Sequence, residues 1–143
     1  MYRIIVLAMD ASEGAKRALP TAVEMARAER AELVIAHART HAIEPDIEAE
    51  LRRQVDELSA TGLRVRLEIG DSMFGEEAAY IASVAEAQHA DVIVIANRGR
   101  SRVAEAVMGS VTLRLLHLAK CAVLVVPAHA PVPTQAAPAM SGA

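Results

Sequence analysis

The chain has 143 residues, 53% hydrophobic and 23% charged, with a net charge of −3 at pH 7. That length suits one domain with a sheet covered on both faces, and the apolar share excludes a disordered chain. The acidic balance and the scarcity of rings (Tyr2, Phe74 and Tyr80, with no Trp) exclude a general nucleic-acid binder, which needs a basic face or a stacking platform.

Residues 2–9 (YRIIVLAM) are a continuous apolar run, the pattern of a central parallel strand buried on both faces. Asp10-Ala-Ser-Glu then opens a helix reaching to about Arg30, capped by Asp10 or Ser12, with Ala15, Leu19, Val23 and Ala26 on its inner side. Pro20 removes one backbone bond, so it bends this helix or marks a later start. Residues 32–38 form the second strand. After a loop over 40–45, residues 46–60 are helical, with Ile47, Leu51, Val55 and Leu58 on one stripe and Thr61-Gly62 as the stop.

The third strand, residues 63–69, alternates strictly: Leu63, Val65, Leu67 and Ile69 against Arg64, Arg66 and Glu68. Its charged face is expected to meet solvent, which places it near a sheet edge. Residues 70–75 connect it to a helix whose buried side is Phe74, Ala78, Ile81 and Val84 or Ala85.

The most informative stretch is 90–127. It holds a buried strand (91–96), a loop with Gly99 and three arginines, a helix opening at Gly109-Ser110-Val111-Thr112, and a second buried strand, Ala122–Val126. Strand, loop, helix and strand make a βαβ unit with a right-handed crossover and a parallel sheet. Gly99 allows a tight turn and a close approach of backbone to an anion. Ser110 and Thr112 offer hydroxyls beside amides that have no partner within the helix, at the positive end of its dipole. Arg98, Arg100 and Arg102 have no acidic residue nearer than Glu105, so the local field favours phosphate in an acidic chain. A helix cap beside a solvated basic loop is the plainer account of the same residues.

At these residues the sequence resembles the universal stress protein family, whose nucleotide-binding members carry G-x2-G-x9-G-[ST] after the fourth strand. Gly99, Gly109 and Ser110 fill the last three positions, and Ala96 stands at the first, where backbone lies close to the nucleotide. Val111-Thr112 continues the match, Cys121-Ala-Val-Leu-Val-Val resembles the closing strand, and the likeness spans residues 3–127.

The resemblance implies an α/β fold: a doubly wound, five-stranded parallel sheet in the order 3-2-1-4-5 with four helices, Rossmann-like and of the adenine nucleotide alpha-hydrolase type. Such sheets bind ligands beyond the carboxyl ends of the strands where the winding reverses, here between the first and fourth. Carried over position by position, the pocket falls on Ala8, Met9 and Asp10, on Ala38, on Ala96, Asn97, Arg98, Gly99, Arg100, Ser101 and Arg102, and on Gly109, Ser110, Val111 and Thr112. The resemblance implies that Asp10 bonds base or ribose and that Ala38 presents its backbone to adenine. The loop and helix start would hold the phosphates of ATP or AMP, with or without Mg2+. Simple helix capping is the alternative role of Asp10.

The fifth strand becomes the opposite edge, apolar without alternation, and an edge of that kind invites another chain. An antiparallel homodimer through Ala122–Val126 answers it symmetrically, and the resemblance implies the same dimer. Catalytic groups are not expected: G-x-S-x-G and G-x4-G-K-[ST] are absent, and His117 with Cys121 is an incomplete metal site. Any ATP hydrolysis would be slow. The expected function is a nucleotide-binding stress-response regulator; the alternative, favoured by Ala96, is a nucleotide-free dimer acting as an adaptor or chaperone-like protein.

Residues 1–127 are expected to form the domain and 128–143, rich in Pro and Ala without periodicity, a flexible tail. A single cysteine, Cys121, an N-terminus without a signal-peptide layout and no apolar run of spanning length point to a cytoplasmic protein without a membrane partner.

Overall fold

The computed structural model describes residues 1–10, 13–39, 45–73, 75–97 and 109–127. Its strands are β1 (Ile4–Ala8), β2 (Glu32–Arg39), β3 (Val65–Asp71), β4 (Val92–Ala96) and β5 (Ala122–Val126). All neighbouring pairs are parallel, and the order across the sheet is β3-β2-β1-β4-β5. Four helical connections join them: α1 (Glu13–Lys16) with α2 (Ala18–Glu29), then α3 (Pro45–Ala60), α4 (Glu77–Ala87) and α5 (Ser110–Leu118).

β1 and β4 are aliphatic at every position, and β2 from Leu33 to Ala36, because both of their faces are covered. Ile5, Leu7, Leu33, Ile35, Val92 and Val94 pack with Ala18, Ala22 and Ala26 of α2 and Leu51 of α3. Val6, Val34, Ala36, Ile93 and Ile95 turn the other way, onto Ala78, Ile81, Val84 and Ala85 of α4 and Leu115 of α5. Each fully buried Leu or Ile contributes about 1.5–3 kcal/mol relative to exposure.

The first helical connection breaks at Arg17. Pro20 has no N–H for the carbonyl of Lys16, and its ring crowds that carbonyl, so α2 starts afresh at Ala18 with Pro20 in its first turn. The later start read from Pro20 is the one the chain adopts. α3 ends as expected at Gly62, whose φ of +92° suits a residue without Cβ.

β3 begins and ends two residues later than the alternation suggested. Leu63 precedes the strand yet stays buried, while Gly70 and Asp71, expected in a loop, pair with Ala38 and Arg39. Tertiary contacts extend the strand: Asp71 accepts from Arg39 Nε at 2.6 Å, and the ring of Tyr80 lies where a Cβ on Gly70 would stand. The charged face of β3 is also less open than expected. Arg66 bonds Glu32, Glu68 and Gln88, so α4 covers part of it. Burial pushes the Tyr80 phenol up, and Glu68 beside it adds to the effect.

Asp91, expected to open β4, stands just before it. Its carboxylate accepts from the N–H groups of Arg3 at 2.7 Å and Ile4 at 3.0 Å, joining the starts of β1 and β4. Ser12, the 40–44 loop, Phe74 and the tail over 128–143 lie outside the described residues. No helix among the described residues is long and apolar enough to cross a membrane.

Candidate functional site

β1 and β4 lie side by side, and the chain leaves β1 toward α1 on one face while α5 leads into β5 from the other. A cavity of about 470 Å3 opens beyond their C-terminal ends, the switch point of the sheet. Ala8, Met9 and Asp10 wall it from the exit of β1, and Ile95 and Ala96 from the end of β4. Gly109, Ser110, Val111 and Thr112 close another side.

The start of α5 explains what that side can bind. Gly109 is extended, with φ −60° and ψ 155°, and the first helical bond runs from the Leu113 N–H to the Gly109 carbonyl at 3.0 Å. The amides of Ser110, Val111 and Thr112 consequently have no acceptor within the helix. No acidic residue stands in the first turn, so the positive end of the dipole is uncompensated by the helix itself. Thr112 is buried and Ser110 exposed.

Two predicted residues stand beside the cavity instead of in its wall. The Gly109 N–H donates to Asn97 Oδ1 at 3.1 Å, and the Asn97 N–H donates to the Val126 carbonyl at 2.8 Å. Asn97 thus ties the end of β4 to the end of β5 and to the start of α5. Ala38, half-buried, lies one strand further over, at the end of β2. Arg98, Gly99, Arg100, Ser101 and Arg102 lie outside the described residues.

Ala96, the departure from the glycine motif, is 4% exposed and packs in the same core cluster as Ala15 and Val126. Its methyl points to the α1 side of the sheet, as the alternation with Ile95 requires.

Ala15, Gly75, Glu77, Ile81 and Ile95 also line the cavity and were not read from the sequence as site residues. Glu77 reaches the wall because α4 packs on the same face as α5 and begins at the same end of the sheet, with Glu77 in its first turn. Among the described residues its half-buried carboxylate has no ion-pair partner. The cavity therefore has an anion-accepting wall at α5, carboxylates on Asp10 and Glu77, and an apolar floor from Ala8, Ile81 and Ile95.

Two groups outside the wall complete the surroundings. His37 is 3% exposed, and its Nδ1–H donates to the Met9 carbonyl at 2.8 Å. Cys121 sits past the end of α5; burial pushes its thiol up and Asp91 adds to that, so it is held away from the reactive thiolate.

A universal stress protein of Thermus aquaticus, the one in the QAH/OAS sulfhydrylase 3'region, is 31% identical over 136 residues, covering 88% of this chain and 99% of its own. A crystal structure of a universal stress protein in complex with cAMP superposes with a TM-score of 0.71 at 29% identity, over 89% of this chain and 98% of that one. The structure of a universal stress protein from Archaeoglobus fulgidus shares the fold, with a TM-score of 0.72 at 24% identity over 88% and 99% of the two chains. The model of the universal stress protein family matches residues 1–127, and the chain belongs to that family.

Proposed function

We propose that the chain binds an adenine nucleotide, AMP or ATP, in the cavity beyond β1 and β4, and works as a cytoplasmic stress-response regulator whose occupied form a partner reads. The start of α5 carries this reading: three consecutive amides without helical acceptors line one cavity, and no acid stands in that first turn. The phosphates rest on those amides, with Arg98, Arg100 and Arg102 supplying charge and Mg2+ accompanying the longer chain of ATP. Asp10 and Glu77 accept hydrogen bonds from ribose hydroxyls. The relative solved with cAMP supports a nucleotide of this class.

The protein is a homodimer in this reading, joined through the open edge of β5. Leu124 on the strand and Leu113 and Leu116 on α5 are 38%, 45% and 43% exposed, an apolar border that a second copy covers.

Calorimetric titration of nucleotide-stripped protein with AMP and ATP, with and without Mg2+, tests the site. Saturable binding at one site per chain, lost in Gly109→Asp, is the expected result. No heat and no thermal shift at millimolar nucleotide would favour the second reading, a nucleotide-free dimer acting through its surface, which Ala96 at the motif's first glycine position supports.

A further inference from the structure

The β1–β2 ladder stops at Ala8 and Ala36, and its last bond runs from the Met9 N–H to the Ala36 carbonyl at 2.9 Å. In a parallel ladder the next bond would run from the Ala38 N–H back to the Met9 carbonyl. His37 takes that carbonyl instead, its Nδ1–H donating at 2.8 Å from a ring that is 3% exposed. The acceptor is satisfied, so β1 leaves the sheet at this point without burying an unpaired carbonyl.

Ala38 is what the substitution exposes. Backbone groups alternate sides along a strand. Those of Ala36 face β1, and the Arg39 carbonyl faces β3, where it accepts from the Ser72 N–H at 2.8 Å. The N–H and C=O of Ala38 therefore face the β1 side, beside Met9 and Asp10 in the cavity wall, where β1 has already departed.

From this geometry we propose that His37 is a positioning residue: by taking the Met9 carbonyl it keeps the Ala38 amide out of the ladder and open to the base of a bound nucleotide. The base contact rests on the nucleotide reading above; the open amide does not. One residue then offers a donor and an acceptor side by side, which pair with the ring nitrogen and exocyclic amine on one edge of adenine.

The test is amide hydrogen exchange, read by NMR on the full chain, for the wild type, His37→Leu and His37→Asn. Without nucleotide, the wild-type Ala38 amide should exchange on the order of a hundredfold faster than that of Ala36, which is bonded in the ladder. In His37→Leu the Met9 carbonyl regains the Ala38 N–H, so that amide should slow by about tenfold, and AMP should bind about tenfold more weakly, the loss of one net hydrogen bond. His37→Asn keeps a side-chain N–H near the same place and should behave as wild type.

A free wild-type protein in which Ala38 exchanges as slowly as Ala36 would overturn the proposal. So would a His37→Leu protein unchanged in both exchange and AMP affinity. If His37→Leu does not fold, the comparison of Ala38 with Ala36 and the His37→Asn variant decide the matter. Absence of AMP binding by calorimetry sinks the nucleotide reading; a protected Ala38 amide in the free chain sinks this one.

Discussion

β3 closes one edge of the sheet with charge, and β5 borders the other with leucine and valine. On β3, Arg66 engages Glu32 of the neighbouring strand, Glu68 of its own and Gln88 just past α4, and the Tyr80 ring lies over Gly70. Half-exposed ion pairs of this kind add about 0–1 kcal/mol each, so their use is to make the edge unattractive to another strand. Among the described residues, β5 has no such guard. Asn97 donates to the Val126 carbonyl, which turns the backbone of Val126 and Leu124 toward β4 and that of Val123 and Val125 outward. Among the described residues both edges leave backbone unpaired, and the side chains around β5 are the ones suited to a partner strand.

Val125→Pro is the strongest way to break the contrast. It removes an outward N–H while leaving the β4–β5 ladder intact, so sedimentation equilibrium should show a dimer become a monomer. A dimer that survives would move the seam away from β5. Gly109→Asp separates edge from cavity. A carboxylate beside the α5 amides should weaken nucleotide binding by about a hundredfold or more in calorimetry, with sedimentation unchanged. Loss of the dimer in that variant would join two surfaces that the fold keeps apart.

The guarded edge yields a smaller effect. Gly70→Ala places a methyl where the Tyr80 ring lies, so the ring must swing away. The cost should be about 1 kcal/mol, read as a fall of roughly 3 °C in Tm with no change in oligomeric state. An unchanged Tm would mean that Tyr80 does not hold β3 down.

The smallest effect concerns the strands between the edges. The N–H groups of Ile4 and Arg3 hold the Asp91 carboxyl below its ordinary value of 3.8. A carboxyl depressed in the folded state adds stability above its unfolded value and loses it as pH falls through the folded one. Wild type should therefore lose stability below about pH 4, and Asp91→Asn should lose less over the same range, followed by thermal melts in acid. Parallel pH profiles would remove Asp91 from the account.

Most of the sheet was legible because burial on both faces demands aliphatic runs. β5 has the bounds its apolar run suggested, and the break before α2 was visible in Pro20. β3 was misplaced by two residues because Gly70 reads as a turn until Tyr80 is known to need its space, and that neighbour is ten residues away. At the cavity, the start of α5 was legible from residue type and spacing, and the exit of β1 from the family resemblance. Ala15 and Glu77 were not, since they reach the wall only through the placement of α1 and α4 over the sheet. Asn97 shows a different gap: the family resemblance placed it in the pocket, and its side chain bonds the backbone of Gly109.

Asn97 also works as a clasp. Its N–H holds the last residue of β5 and its side chain holds Gly109, so the ends of β4 and β5 and the start of α5 share one fastened point. Lengthening a segment whose ends are already pinned is cheap, about 0.6 kcal/mol per doubling. A change of length between Asn97 and Gly109 should therefore leave α5 and its amides where they are. The clasp accordingly sets the position of the α5 wall of the cavity independently of how many residues join the two posts.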